Sequence, residues 1–219
     1  MRTLVFKTIA TLLCCCSLIA QTPQVPEPDR TVQGTTVAST HDPAVRIQFP
    51  SGAQYVGGAR WPLYNLADCE LHVFIDADAQ HSVRGLYWVQ FEGYLPSKPD
   101  AHYTYDSPRH LQLGGLDFYV DTWPRADGEP TRAGSDREHV EALIGDHGYH
   151  MPAGMAYVRL VHLLDEQKRK ELMIVYGEAL PSGLSAADVK EGGKAHDQWP
   201  AIEGTLIDHA KQKIGISFR

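Results

Sequence analysis

Cysteine is almost missing from this 219-residue chain. Four occur, three of them as a triplet at positions 14–16, which leaves Cys69 alone in everything that follows. One cysteine closes no internal disulfide, so the body of the protein must be held by its apolar core. Cys69 stands just before an apolar segment and is expected as a small buried hydrophobe. Basic runs are scarce too. Only Lys168, Arg169 and Lys170 are consecutive, and the net charge is -7. That balance argues against nucleic acid and anionic membrane surfaces as partners, since both ask for basic patches. The one long apolar run, residues 8–19, falls short of the roughly 20 residues a membrane span needs. No G-x-S-x-G, Walker loop, G-x-G-x-x-G, H-E-x-x-H or paired C-x-x-C is present, so no cofactor is implied. Residues 76–80 open like a calcium loop. His81 then stands where glycine is required and Tyr87 where glutamate is required, so a polar turn is expected instead.

What is present begins with an export signal. Arg2 and Lys7 precede the apolar run, and the small Ala20 follows it. This pattern predicts a secretory signal peptide over residues 1–20 and an exported protein, periplasmic or secreted. The cysteine triplet lacks the small preceding residue of a lipoprotein signal. Residues 21–43 are rich in Pro, Thr, Gln and Asp without an apolar period, and a flexible tether is expected there. Residues 44–219 suffice for a single domain with a sizeable core.

Within that domain, Leu71, Val73 and Ile75 alternate on a strand over 70–76, and residues 83–95 make a second strand of the same hairpin. A third strand region, 110–123, changes its apolar phase at Gly114-Gly115, which predicts a β-bulge. Ser135 and Glu138 form a capping box ahead of a helix bearing Val140, Leu143 and Ile144, with Gly145 near its end. Residues 157–164 and 171–177 form a second, nearly apolar hairpin. Ser185 and Asp188 cap a short turn of helix, and Pro200 starts a last helix whose stripe is Ile202, Leu206, Ile207, Ala210 and Ile214. The expected fold is α+β: an antiparallel sheet of two hairpins and a bulged strand, with two or three helices packed mainly on one face.

Two constellations bear on function. His139, Asp146, His147 and His150 have zinc-like ligand types in loose spacing. A histidine near a helix C-terminus is equally favoured by the dipole, so no metal is expected. The second is one face of the sheet. With Val89 and Phe91 inward, Trp88, Gln90, Glu92 and Tyr94 share the other face. After the phase change, Asp117, Tyr119, Asp121 and Trp123 join them. Aromatic planes among amide and carboxylate groups suit a small molecule, a glycan or a peptide. A non-catalytic binding module is the leading expectation. The alternative is an extracytoplasmic hydrolase using Glu92 with Asp121 or Asp117, or a His-bound metal. Mass spectrometry of the protein recovered from the culture medium or periplasm should find an N-terminus at or next to Gln21. An intact Met1, or a lipid on the triplet, rejects the signal reading.

Overall fold

The computed structural model describes residues 26–218. The expected signal segment and residues 21–25 lie outside them. Eleven strands and three α-helices follow in the order β1 (Thr31–Gln33), β2 (Thr36–Ala38), β3 (Val45–Gln48), β4 (Gln54–Leu63), β5 (Ala67–Ala77), β6 (Val83–Tyr94), β7 (His110–Leu113), β8 (Leu116–Ala126), α1 (Asp136–Asp146), β9 (Gly154–Leu163), β10 (Lys170–Ala179), α2 (Ala186–Val189), α3 (Trp199–Lys213) and β11 (Gly215–Phe218). They make two antiparallel sheets. One has the order β1-β2-β3-β11 and the other β4-β5-β6-β10-β9-β8-β7. Strand accounts for 44% of the described residues and helix for 17%, so they are mostly sheet rather than evenly mixed.

The two expected hairpins form. β5 pairs with β6, and β9 with β10. Their joining places β6 against β10 at the centre of the large sheet. Leu172, Ile174 and Tyr176 fill one face of β10, and Met173 and Val175 the other, all buried. A strand covered on both sides reads as a continuous apolar run, as these do.

Three expectations need correction. The tether expected over 21–43 gives way from Thr31 onward to a hairpin, β1–β2, whose second strand pairs with β3. Val32 and Val37 supply its apolar contacts with the core, a signal too short to register as a period. The bulge expected at Gly114-Gly115 is a two-residue hairpin turn. Both glycines hold positive φ, 57° and 83°, and Leu113 pairs with Leu116. Successive positive φ values are the mark of a type I′ turn, which glycine adopts without strain. Across such a turn odd positions pair with even ones, which produces the phase change: Leu111 and Leu113 share a face with Phe118 and Leu116. Thirdly, only α2 and α3 share a face of the large sheet, and α1 lies on the other. α1 buries Val140 and Ile144 beside Leu71 and Trp88, whereas α3 buries Leu206 and Ala210 on the opposite side with Ile174 and the small sheet's Val45 and Ile47.

Ser135 caps α1, its Oγ accepting from the Glu138 N–H at 3.3 Å. Ser185 and Asp188 complete a reciprocal box on α2. Urea denaturation should rank two substitutions. Ser135→Ala should cost about 1 kcal/mol, and Leu206→Ala, which empties a buried position, about 2–5 kcal/mol. The reverse order contradicts the packing of α3.

Candidate functional site

Alternation along β6 places Trp88, Gln90 and Glu92 on one face, as expected, but that face is not open. Trp88 is 4% and Gln90 0% exposed, under α1 and the segment joining β6 to β7. The three side chains form a chain of hydrogen bonds. Trp88 Nε1 donates to Gln90 Oε1 at 2.9 Å, and Gln90 Nε2 donates to Glu92 Oε2 at 2.7 Å. Glu92 also accepts from the Tyr103 hydroxyl at 2.9 Å, and the Cys69 thiol approaches it at 3.7 Å. Cys69 is fully buried, and burial pushes its thiol pKa up.

Across the strand pair, Glu92 stands directly opposite Glu171. Such pairs hold their Cβ atoms about 5 Å apart. Glu171 is 3% exposed, and the Tyr105 hydroxyl donates to it at 2.7 Å. No lysine, arginine or histidine forms an ion pair with either carboxylate among the described residues. Burial, followed by repulsion from Glu92, raises the Glu171 pKa to about 8, and burial raises Glu92 as well. The pair therefore holds a proton at neutral pH.

Tyr103 and Tyr105 belong to residues 95–109, a connection without helix or strand. Arg169, in the β9–β10 turn, pins it. Its Nη1 donates to the carbonyls of Lys98, Pro99 and Ala101 at 2.7–2.8 Å, and Nη2 donates to Leu95 at 3.3 Å. Tyr94 stacks at 4.4 Å on Tyr103. Neither tyrosine of the connection nor Glu171 was among the residues expected from the sequence. The one signal was an acid at the mouth of an apolar strand.

The remaining expected residues lie apart from this pair. Asp121 is held by Arg159 at 2.6 Å, Trp123 stacks on Tyr157, and Tyr119 lies by Tyr105. Exposed Asp117 accepts from Gln112 at 2.7 Å and contacts the His110 ring. The carboxylate partner of Glu92 is thus Glu171, not Asp121 or Asp117: β10 and β9 intervene between β6 and β8. The histidines also separate. His139 lies over Trp61 with ring centres 4.0 Å apart, and His147 bonds the Leu143 carbonyl. Among the described residues no three His, Cys, Asp or Glu converge as metal ligands, and no helix is long and apolar enough to cross a membrane.

No family model, curated protein or solved structure matches this chain.

A cleft of about 350 Å³ opens at the same end of β6, beside Phe91, Glu92, Gly93 and Tyr94. Its charges are paired off: Arg30 with Glu70, Arg60 with Asp68, Lys170 with Asp42. The first and last of these pairs fasten residues 29–42 to the large sheet, which accounts for the cleft as a seam.

The raised Glu171 pKa has a stability consequence. A carboxyl whose folded pKa exceeds its unfolded value stabilises the fold below the unfolded pKa, and that stability is lost as pH rises. Here the window runs from about 4.5 to about 8. Glu171→Gln keeps the shape without the charge. In urea titrations it should gain on the parent protein across that window, by on the order of a few kcal/mol above it. A gap that stays constant with pH contradicts the buried, protonated Glu171.

Proposed function

We propose that this chain is an exported binding domain whose ligand carries a positively charged nitrogen, taken up between Glu92 and Glu171. The observation that supports this reading is the pair itself: a buried Glu171 and a half-buried Glu92 on adjacent central strands, with hydrogen-bond donors but, among the described residues, no cation ion-paired to either. A buried carboxylate without a counter-charge holds a proton or recruits a cation. In the ligand-free protein the proton fills that role. An organic ammonium would displace it, and the faces of Trp88, Tyr103 and Tyr105 offer the aromatic surroundings such cations prefer. Half-buried Glu92 is the outer member of the pair, and the pinned connection over 95–109 covers the inner one. The amide of Gln90, held by Trp88, fixes the Glu92 carboxylate in place.

The second reading, a hydrolase, uses the same two groups, with Glu171 as the proton-bearing acid and Glu92 as its ionised partner. Calorimetry with glucosamine and butylammonium, set against the neutral N-acetylglucosamine and butanol, separates these readings. The binding reading expects a cation-selective signal, proton release at neutral pH, and loss of both in Glu92→Gln. Equal affinity for charged and neutral probes, or none for either, rejects it. Glycoside or ester turnover lost in both Glu92→Gln and Glu171→Gln would favour the hydrolase.

A further inference from the structure

A second chain of polar side chains runs on the other face of β5 and, among the described residues, shares no hydrogen bond with the carboxylate pair. Glu70 and His72 are 2% and 1% exposed, unusual burial for a charged and a titratable group. Glu70 accepts from the backbone N–H of Asp29 at 2.9 Å, from that of Arg30 at 2.7 Å, and from Arg30 Nη1 at 3.0 Å. His72 Nε2 lies 3.0 Å from Glu70 Oε1, and its Nδ1 lies 3.1 Å from the Tyr55 hydroxyl. Tyr55 is 39% exposed. The series therefore starts at a buried anion and ends at a partly exposed tyrosine.

Its proton positions follow from the donors. With three N–H groups on it, Glu70 is ionised, its pKa held down to about 2 against the cost of burial by His72 and the Arg30 and Asp29 donors. An ionised carboxylate only accepts, so Nε2 carries the imidazole hydrogen. In the neutral ring Nδ1 is then a bare lone pair, and the Tyr55 O–H donates to it. A hydroxyl on a base that is itself oriented by a third group is the arrangement of an activated nucleophile.

The backbone is shaped for this contact. The register of β4 against β5 slips between Tyr55 and Gly57, a bulge that re-aims the side chain beside it. A Cβ on Gly58 would lie 2.9 Å from both His72 Nδ1 and the Tyr55 hydroxyl oxygen, so only glycine leaves room for the bond. Burial pushes the Tyr55 pKa up to about 12. The phenol therefore keeps its proton at neutral pH unless a base removes it during reaction.

We propose that Tyr55, His72 and Glu70 form a nucleophilic site at which the Tyr55 phenol takes the acyl group of a small activated ester. The Tyr55 oxygen bonds to the ester carbonyl carbon, and its proton passes to His72 Nδ1. The bond from that carbon to the leaving oxygen breaks, and the leaving group takes the proton from His72. Glu70 holds the ring in the reactive tautomer and stabilises the transient imidazolium. Water attacking by the same route returns the free phenol and a carboxylic acid.

The test uses the full chain with p-nitrophenyl acetate, following p-nitrophenolate release and mapping acetyl groups on peptides. Tyr55 should react roughly 10²-fold faster than N-acetyltyrosinamide, the lower end of what a positioned base contributes. The reaction shows either as a Tyr55 adduct or as turnover that Tyr55→Phe abolishes. His72→Gln should remove the excess rate, and Gly58→Ala should reduce it by forcing the two groups apart. Tyr55→Phe removes only a hydroxyl and so keeps the fold available should His72→Gln fail to fold. A Tyr55 no more reactive than the free reference overturns the proposal. So does an excess rate that survives in Tyr55→Phe or in a folded His72→Gln.

Discussion

The centre of the large sheet is buried on both faces, and most of the molecule follows from that. On one side lie the four-stranded sheet and α3; on the other lie α1 and the connection over 95–109. Strands β6 and β10 therefore have almost no solvent side. A polar group placed on them has to be satisfied from within, because an unmet buried donor or acceptor costs about 1–3 kcal/mol. Gln90 answers by bridging Trp88 and Glu92, and Tyr105 answers for Glu171. The coverings are thus more than packing. They supply the hydrogen bonds that let carboxylates sit in the sheet at all.

Glu70 and Glu171 are the same residue type with nearly equal burial, yet they behave in opposite ways. Glu70 has two backbone N–H groups, a guanidinium and an imidazole on it, and its pKa falls to about 2. Glu171 has one tyrosine hydroxyl and a neighbouring carboxylate, and its pKa rises to about 8. The number and charge of the donors decide the outcome, not burial alone. One residue is a fixed anion that orients a histidine. The other holds a proton, which the proposed cationic ligand would displace.

Strand alternation keeps these two arrangements apart. Cys69 and Leu71 face the carboxylate pair, whereas Glu70 and His72 face the other way. The N-terminal strap serves the second set, because the Asp29 and Arg30 N–H groups are among the donors on Glu70. Apart from the buried Arg30–Glu70 pair, the ion pairs along its seam are partly exposed and weak one by one. The backbone bonds to a buried anion fix its position.

Much of the architecture was legible in the order of residues. The β5–β6 and β9–β10 hairpins, the Ser135 and Ser185 caps and the Pro200 start of α3 all rest on local chemistry: alternation, a hydroxyl accepting nearby N–H groups, a ring that fixes φ. The face shared by Trp88, Gln90 and Glu92 rests on the same alternation. Other features depend on distant partners. A two-residue turn and a bulge leave the same phase change at Gly114-Gly115, and only the pairing of Leu113 with Leu116 tells them apart. The short strands β1, β2 and β11 carry too few apolar residues to show a period; β2 and β11 form on the two edges of β3, and β1 on β2. That Glu92 meets Glu171, that Tyr103 and Tyr105 cover them, and that Tyr55 reaches His72 are matters of strand order and register. Burial of both sheet faces is likewise a tertiary outcome, since a polar residue two along from a tryptophan looks the same whether water or a helix lies above it.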